Sequence, residues 1–406
     1  MRRSWLALGC AIALAGCGDD EFALPREPHA VVLIDIGGAS AESLSAALAG
    51  EGSSLHAVAS SGVVLEQAFA QSSVARSGVA SLLTGLYPST HGVQKAGDKL
   101  DESIVTLPQA FDNAGFATAA FSTAGDLGTA EGLDRGFGSV ARARGDQLTE
   151  TLREFLDDAG SRPFFLLLHT DLGYALGSKD RDRKVAERIE AFDEVLGDLR
   201  SALDARNRLD STTFLITADR TLETLAILDT SSEASEPVGI ESTQVPFVVA
   251  TPGLARRADH FLGDPSSDLI SAEVVDVMPT LLDLAGVPVP DLMQGQSLRR
   301  VLEGSSQERH LAFSELRPIN DEPVSTVALA GYQLVAVGQD RYLVRLADES
   351  PVDLASSGLM SSEPLRAEVL ARHLDEWRKQ LEGGLAGAQV LGSEELEALQ
   401  NLGYIQ

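Results

Sequence analysis

The chain has 406 residues, of which 44% are hydrophobic and 23% charged, and its formal net charge is −28. This length is enough for one large α/β domain with an appended subdomain, or for two ordinary domains, and the composition excludes a largely disordered chain. The negative charge argues against nucleic acid or an anionic lipid surface as a partner for the body of the protein, and its simplest interpretation is solubility.

The first residues have the pattern of a secretory targeting segment. Two arginines precede an apolar run from Trp5 to Ala15, which is too short to span a bilayer and is typical of a signal peptide. A Leu-Ala-Gly sequence then leads directly to Cys17, and this junction is similar to the bacterial lipobox. The resemblance implies cleavage before Cys17, lipidation of its thiol, and a protein anchored by lipid in the cell envelope.

We therefore expect residues 1–16 to be a signal peptide and residues 17–28, which are polar and contain proline, to be a tether. Because Gly18 directly follows Cys17, analogy favours the outer membrane over retention at the inner membrane. The alternative is an ordinary secretory peptide. Cys10 would be removed with the signal peptide, so the mature chain would have neither a disulfide nor a thiol nucleophile.

From His29 onward the sequence alternates between strand and helix patterns. Residues 31–36 form an apolar, β-branched run that stops at two glycines, as buried parallel strands do. Strands separated by helices predict a mainly parallel sheet that is covered by helices on both faces. The further predicted elements are strands at 117–121, 164–169, 213–217 and 245–250, and helices at 104–114 and over the apolar period from Val185 to Leu203.

The pattern changes after about residue 310. Three short segments, at 326–330, 333–337 and 341–346, predict an antiparallel meander, and a helix is predicted at 364–382. We therefore divide the mature chain into an α/β domain over residues 29–310 and a C-terminal subdomain over residues 311–406.

Several segments resemble, in one order along the chain, the motifs of a known family. They are Ser81–Ser89 with His91–Val93, Gly132–Phe137, Val275–Gly286, Gly295–Leu298 and Leu402–Tyr404. From about residue 30 to its end, the chain is similar to the sulfatases of the alkaline phosphatase superfamily. The resemblance implies an α/β fold with a large, mainly parallel mixed sheet flanked by helices on both faces, plus a small C-terminal subdomain of antiparallel sheet and helix.

The resemblance also implies a chemistry, which uses a divalent cation held by acidic and amide oxygens, a nucleophile at a helix N-terminus, and basic groups around the sulfate. The cation lowers the pKa of the nucleophile and neutralises charge on the transferred group. The helix end contributes a positive partial charge. In this chain, most of these positions carry a different type of residue.

The metal-binding positions are mostly lost. Ungapped alignment places the first two family ligands at Gly37 and Gly38, which have no side chains. Asp35 lies two residues earlier on the same strand face, about 6–7 Å away, and is either a relocated ligand or a hydrogen-bonded structural residue. In the late metal motif, Asp219 keeps one carboxylate, while Arg220 stands where the family has histidine.

The nucleophile position is Ala75, whose methyl group cannot attack sulfur or be matured to a formylglycine. The hydroxyls of Ser72, Ser73 and Ser77 offer a fallback nucleophile. A serine would need an activating base, and the simpler interpretation is that these serines cap the helix that begins here.

The chain also keeps fewer of the family's histidines. Residues 169–174 resemble the mid-chain histidine motif, in which His169 is kept and the second histidine is replaced by Gly173 or Tyr174. His91 lies in a His-Gly-Val turn, where we expect a structural role.

Loss of metal ligands, nucleophile and base together predicts a catalytically inactive sulfatase-like lipoprotein with an anion-binding or structural role. No cofactor is then expected. The alternative is an active sulfuric or phosphoric ester hydrolase, with Ca²⁺ or Mg²⁺ in a reduced metal site and a relocated serine. A transferase-type member of the superfamily is the weakest hypothesis, because we find no membrane-spanning helices to hold a lipid donor.

Two arginines suggest an anion site. Arg76 adjoins the lost nucleophile, and Arg220 adjoins Asp219, so that the two cations together could bind a sulfated or phosphorylated small molecule or glycan without cleaving it. The alternative is that Arg76 is solvated and that Arg220 pairs with Asp219 or a surface acid. The predicted partners are thus a membrane, through the lipid anchor, and such an anion, but no nucleic acid.

Overall fold

The computed structural model describes residues 23–25, 29–95, 97–123, 127, 129–175, 180–228, 238–254, 271–305, 310–346, 352–353, 359–383, 387 and 389–401. The predicted signal peptide, Cys17, most of the tether and the motif at 402–404 lie outside these residues. Within the described ranges, no helix is both long enough and apolar enough to cross a membrane.

The strands in chain order are β1 Ala30–Gly37, β2 Val63–Val64, β3 Gln67–Phe69, β4 Ala117–Ser122, β5 Ser139–Arg142, β6 Phe164–Asp171, β7 Thr212–Thr217, β8 Thr224–Leu228, β9 Val238–Glu241, β10 Phe247–Ala250, β11 Ser271–Glu273, β12 His310–Ile319, β13 Glu322–Leu329, β14 Tyr332–Val337, β15 Asp340–Arg345, β16 Val352–Asp353 and β17 Gln389–Val390. The α-helices are α1 Ala41–Ala49, α2 Ser54–Ala59, α3 Ala75–Thr84, α4 Pro88–His91, α5 Leu107–Asn113, α6 Asp146–Ala159, α7 Arg181–Asp204, α8 Val277–Leu284, α9 Arg299–Leu302, α10 Leu359–Ser362, α11 Pro364–Glu382 and α12 Ser393–Asn401.

The main sheet has seven strands in the order β2-β10-β7-β1-β6-β4-β5. Strands β7, β1, β6, β4 and β5 run parallel, whereas β10 is antiparallel to both β7 and β2. All eight residues of β1 are buried, which explains why its sequence is nearly continuous in apolar residues. The predicted α/β fold with a mainly parallel mixed sheet is confirmed.

Helices flank this sheet in two groups: α6 and α2 contact α7, while α3, α5 and α8 contact one another. The predicted apolar period falls in α7, which starts earlier, at Arg181. The helix predicted at 104–114 begins only at Leu107, because Thr106 and Gln109 form a capping box that fixes its first turn.

The C-terminal sheet is antiparallel, with five strands in the order β15-β14-β13-β12-β17. The predicted meander corresponds to β13, β14 and β15, and the helix predicted at 364–382 is α11. Strand β12 was not predicted, because Glu315 and Arg317 interrupt its apolar pattern although most of the strand is buried. β12 begins at His310, next to the domain boundary that the sequence predicts.

Glu273 joins the main domain to the C-terminal sheet. Its carboxylate accepts hydrogen bonds from the Tyr87 hydroxyl at 2.9 and 3.1 Å and from the backbone N–H of Phe313, on β12, at 2.8 Å. Its own backbone N–H donates to the carboxylate of Asp276 at 2.8 Å. Burial, and then the charge of Asp276, raise the pKa of Glu273 well above its ordinary value of 4.5. The junction therefore contains an acid that keeps its proton in the folded state to a higher pH than in the unfolded chain.

This raised pKa makes the stability of the fold depend on pH. Above its ordinary value of 4.5, Glu273 loses its proton in the unfolded chain but keeps it in the folded one, so its contribution to the free energy of unfolding falls as pH rises towards the folded-state pKa. We expect Glu273→Gln, which cannot ionise, to flatten this fall. Relative to wild type, the variant should therefore be more stable at about pH 8 than at about pH 5, as measured by urea unfolding.

Glu102→Gln, at an exposed position, is the matched control and should keep the wild-type pH dependence. If the free energy of unfolding depends on pH in the same way in wild type and in Glu273→Gln, the pKa of Glu273 is not raised in the folded state.

Candidate functional site

Three neighbouring parallel strands end at one cluster of charged side chains. Strand β1 lies between β6 and β7, so that Asp35 is paired with His169 on one side and with Thr217 on the other. Oδ2 of Asp35 lies 2.8 Å from Nδ1 of His169, and Oδ1 accepts the backbone N–H of Asp219 at 2.9 Å. Both oxygens of Asp35 are therefore engaged, which favours the structural interpretation of this residue over that of a relocated ligand.

Arg220 is at the centre of the cluster. Its Nη1 donates to both carboxylate oxygens of Asp219, at 3.1 and 2.9 Å, and its Nη2 donates to Oδ1 of Asp171 at 3.0 Å. The side chain of Arg220 is only 8% exposed and that of Asp219 is fully buried. One guanidinium thus pairs with two carboxyl groups at the carboxyl end of the sheet.

The electrostatics follow from this burial. Burial raises the pKa of Asp219 to about 7, and the charge of Arg220 opposes that rise. Burial alone would lower the pKa of Arg220, but the carboxylates of Asp219 and Asp171 hold it above its ordinary value. Burial would likewise lower the pKa of His169, and Asp35 reverses this, so that the net shift is upward. The cluster is therefore a buried network in which each charge depends on a partner.

The two glycines at the family ligand positions leave no space for side chains. A Cβ atom added to Gly37 would lie 2.7 Å from Oδ1 of Asp219 and 3.3 Å from Nη1 of Arg220. A Cβ added to Gly38, whose φ is +88°, would lie 2.8 Å from the side chain of Leu222. Arg220 and its neighbours therefore fill the space into which those ligands would project.

The residues present do not fit a divalent cation. Such ions need several oxygen ligands, but both oxygens of Asp219 already accept from Arg220 and both oxygens of Asp35 are engaged. A guanidinium in the same space would also repel a dication. In the part of the chain that the structure describes, no three histidine, cysteine or acidic residues are placed to hold a metal ion.

The helix that would carry a nucleophile begins at Ala75, with Val74 as its N-cap and no side chain capping it. Ser72 Oγ instead accepts the backbone N–H of Val74 at 3.1 Å, and Ser73 Oγ accepts that of Arg317 at 3.3 Å. The prediction that these serines cap the helix is therefore wrong for both, because they lie before the N-cap and bond elsewhere.

Ser77 has a different environment from the other two serines. It is 1% exposed, and among the described residues its hydroxyl has no hydrogen-bond partner. It lines a cleft of about 980 Å³ that is also lined by Ser325 and Arg378 of the C-terminal subdomain. The sequence offers Ser77 as a fallback nucleophile, and in the described part of the chain no side chain is hydrogen-bonded to its hydroxyl.

His91 is buried close to this helix. Its Nδ1 accepts the backbone N–H of Val93 at 3.0 Å, and its Nε2 lies 3.1 Å from Ser81 Oγ. Burial lowers the pKa of His91 to about 4, so the ring is neutral at physiological pH. With both ring nitrogens engaged, His91 has a structural role in these contacts.

The two arginines of the predicted anion site have separate partners. Arg220 pairs with Asp219 and Asp171, and Nε of Arg76 lies 3.8 Å from a carboxylate oxygen of Glu131, with 31% of the Arg76 side chain exposed. These contacts favour the alternative for Arg220, that it pairs with Asp219. A shared anion site of Arg76 and Arg220 stays a prediction that the contacts do not favour.

Asp171 is a site residue that the sequence did not identify. It lies two residues after His169 on β6 and therefore points to the same face of the sheet, where its side chain meets Arg220. The signal was present in the His-Thr-Asp sequence, but its partner is 49 residues away along the chain.

Comparison with known proteins supports the resemblance. The family model described as Sulfatase matches residues 40–287. Human arylsulfatase A is 29% identical over 252 residues, which are 59% of this chain and 48% of that protein. The chain spans less than half the length of the curated relatives it matches.

Solved structures share the fold. A structure from Bacteroides thetaiotaomicron that is assigned as a sulfatase has a TM-score of 0.68 at 19% identity, covering 88% of this chain and 93% of that one. A phosphonate monoester hydrolase of Agrobacterium radiobacter has a TM-score of 0.62 at 19% identity, covering 87% of this chain and 96% of that one.

The buried ion pair predicts a large effect of one substitution. Arg220→Ala should lower the free energy of unfolding by about 3–5 kcal/mol, because it leaves the carboxylates of Asp219 and Asp171 without their counter-ion. The loss should be smaller at about pH 5 than at about pH 8, since Asp219, with its pKa raised to about 7, is neutral at the lower pH. Urea unfolding at the two pH values measures both effects.

Arg183→Ala removes an arginine whose side chain is 60% exposed, and should change the stability by less than about 1 kcal/mol. If Arg220→Ala and Arg183→Ala are equally stable, the ion pairs of Arg220 do not stabilise the fold.

Proposed function

The chain belongs to the sulfatase family, and we propose that it keeps the fold of that family without its ester hydrolysis. It is, in this proposal, a sulfatase-like protein of the cell envelope with a binding or structural role. The proposal concerns the chemistry at the carboxyl end of the main sheet, because fold alone does not determine activity.

The observation that carries the proposal is the position of the Arg220 guanidinium. It donates hydrogen bonds to both carboxylate oxygens of Asp219 and to one of Asp171. These are oxygens that a divalent cation would need as ligands. Gly37 supplies no ligand, and Ala75 supplies no nucleophilic atom at the helix start. A centre without a cation and without a nucleophile lacks the two parts that lower the barrier most in such reactions.

The alternative function, an active sulfuric or phosphoric ester hydrolase, is favoured by one observation. The Ser77 hydroxyl is buried without a hydrogen-bond partner and lines a large cleft. A serine nucleophile needs an adjacent base, however, and the described residues provide no hydrogen bond from Ser77 to any basic side chain. His91 has no ring nitrogen left for this purpose. The inactive form is therefore the better supported of the two.

The location in the envelope is proposed from the N-terminal sequence. The apolar run that precedes Gly16 and Cys17 supports a lipid anchor, and Gly18 after the cysteine supports the outer membrane. An anchored protein that does not hydrolyse its ligand would hold a sulfated or phosphorylated molecule, or a partner, at the envelope surface.

Activity and metal content together test the proposal. We expect purified mature protein to contain far less than one Ca²⁺ or Mg²⁺ per chain by elemental analysis, and to release no product from aryl sulfate or aryl phosphate above an enzyme-free blank. Ser77→Ala is the informative variant, because turnover that survives it does not use the serine that is buried in the cleft without a hydrogen-bond partner. Stoichiometric metal, together with turnover that Ser77→Ala abolishes, would establish the hydrolase instead.

Lipidation is tested separately in a bacterial host. Cells fed an alkyne-labelled fatty acid should attach the label to wild type but not to Cys17→Ser, because the thiol is the only acceptor that the lipobox pattern provides. Cys10→Ser, inside the cleaved peptide, is the control and should keep the label. A labelled Cys17→Ser, or an unlabelled wild type, would refute the anchor.

A further inference from the structure

We propose that a small cavity lined by Arg144 and Arg188 binds one tetrahedral oxyanion, either free sulfate or phosphate or the sulfate or phosphate end group of a larger molecule. The cavity has a volume of about 190 Å³, and its lining does not include Arg220, Asp219 or the side chain of Asp171. The inference goes beyond the proposed function, because it assigns a binding site that uses none of the altered family positions.

The cavity lies where two adjacent parallel strands end. Thr123 directly follows β4, and Thr170 lies near the end of β6, its neighbour in the sheet. Both threonines line the cavity, and the hydroxyl of Thr123 donates to that of Thr170 at 2.7 Å. The carboxyl ends of parallel strands are where α/β proteins most often bind ligands.

Each arginine is held in place by a backbone carbonyl. Nε of Arg144 donates to the carbonyl oxygen of Thr123 at 2.7 Å, and Nη1 of Arg188 donates to that of Asp171 at 2.7 Å. Among the described residues, no carboxylate pairs with Arg144 within 4.0 Å. Guanidinium groups oriented in this way suit the fixed geometry of a sulfate or phosphate better than a flexible ammonium does.

The local charge is opposite to that of the whole protein. The chain has a formal net charge of −28, yet among the residues that the structure describes, the charged side chains that line this cavity are Arg144 and Arg188. The remaining wall is largely apolar, formed by Ala191, Phe192 and Val195 of α7. Phe192 and Val195 are buried whereas Arg144 and Ala191 are exposed, so an anion in the cavity would meet the guanidinium groups close to the protein surface.

The size of the cavity limits the ligand class. Its volume of about 190 Å³ is below the roughly 300 Å³ at which pockets begin to take drug-sized ligands. A single oxyanion fits, and a sugar ring attached to it would have to remain outside. Because Arg220 is not part of the lining, binding here is independent of whether the Arg220 cluster is catalytic.

The test is isothermal titration of the full mature chain with sodium sulfate, with sodium phosphate and with glucose 6-sulfate, each against sodium chloride at the same ionic strength. We expect saturable binding of the oxyanions and none of chloride. Binding of glucose 6-sulfate at least as tight as that of free sulfate identifies an end group as the ligand, while tighter binding of the free ions identifies the ion itself.

Arg144→Glu should weaken oxyanion binding by at least about tenfold, because it removes a charge-assisted hydrogen bond and adds a repulsion. Arg153→Glu makes the same change of charge on α6, at a side chain that is 52% exposed and pairs with Glu150, and should leave the affinity unchanged. Arg144→Gln has an uncharged side chain and should also weaken binding. If both variants bind more weakly, misfolding caused by the charge reversal in Arg144→Glu does not explain the loss.

Three results would overturn the site. They are heats for sulfate and phosphate equal to those for chloride, wild-type affinity in both Arg144 variants, and equal loss of affinity in Arg144→Glu and Arg153→Glu. The last result would mean that only the general charge of the surface matters.

Discussion

A buried guanidinium determines the structure at the carboxyl end of the main sheet. Two ionised carboxylates are costly to place side by side without a cation when one of them, here Asp219, is fully buried, because desolvation of an ion costs several kcal/mol and like charges repel in a low dielectric. Arg220 supplies that cation from within the chain, where it meets Asp219 and Asp171. The close packing around it, including Gly37 against Asp219, follows from the space that the guanidinium fills.

The same cluster ties together the central strands. Asp35 on β1 binds the ring of His169 on β6 and the backbone N–H of Asp219 just after β7, so that three strand ends share one hydrogen-bonded residue. Gly78 on α3 packs directly on the backbone of Asp219, where an added Cβ would lie 2.2 Å from its carbonyl oxygen. Helix α3, the central strands and the charged cluster therefore pack directly against one another at this end of the sheet.

Sequence patterns predicted most of the fold, because buried strands and helices carry apolar residues at regular spacing. The run 31–36 and the apolar period of α7 depend on neighbouring positions, and both were found. Strand β12 was missed because two charged residues on it make contacts outside the local pattern. For the candidate site, the sequence predicted which positions differ in residue type from the family's motifs. It could not indicate that Arg220 reaches Asp171, or that Arg144 and Arg188 line one cavity, since those contacts depend on the packing of distant segments.

The fit between Gly37 and Arg220 limits how this centre could change in evolution. An aspartate restored at position 37 would place its Cβ 2.7 Å from Asp219 and against the guanidinium. Loss of Arg220 before that change would leave buried carboxylates unpaired. Each single step back thus passes through a less stable protein, and marginal stability makes such steps costly. Under our proposal that this centre binds no metal ion, mutations elsewhere in the chain can accumulate, while the loss of stability closes the direct route back to a metal-binding sequence.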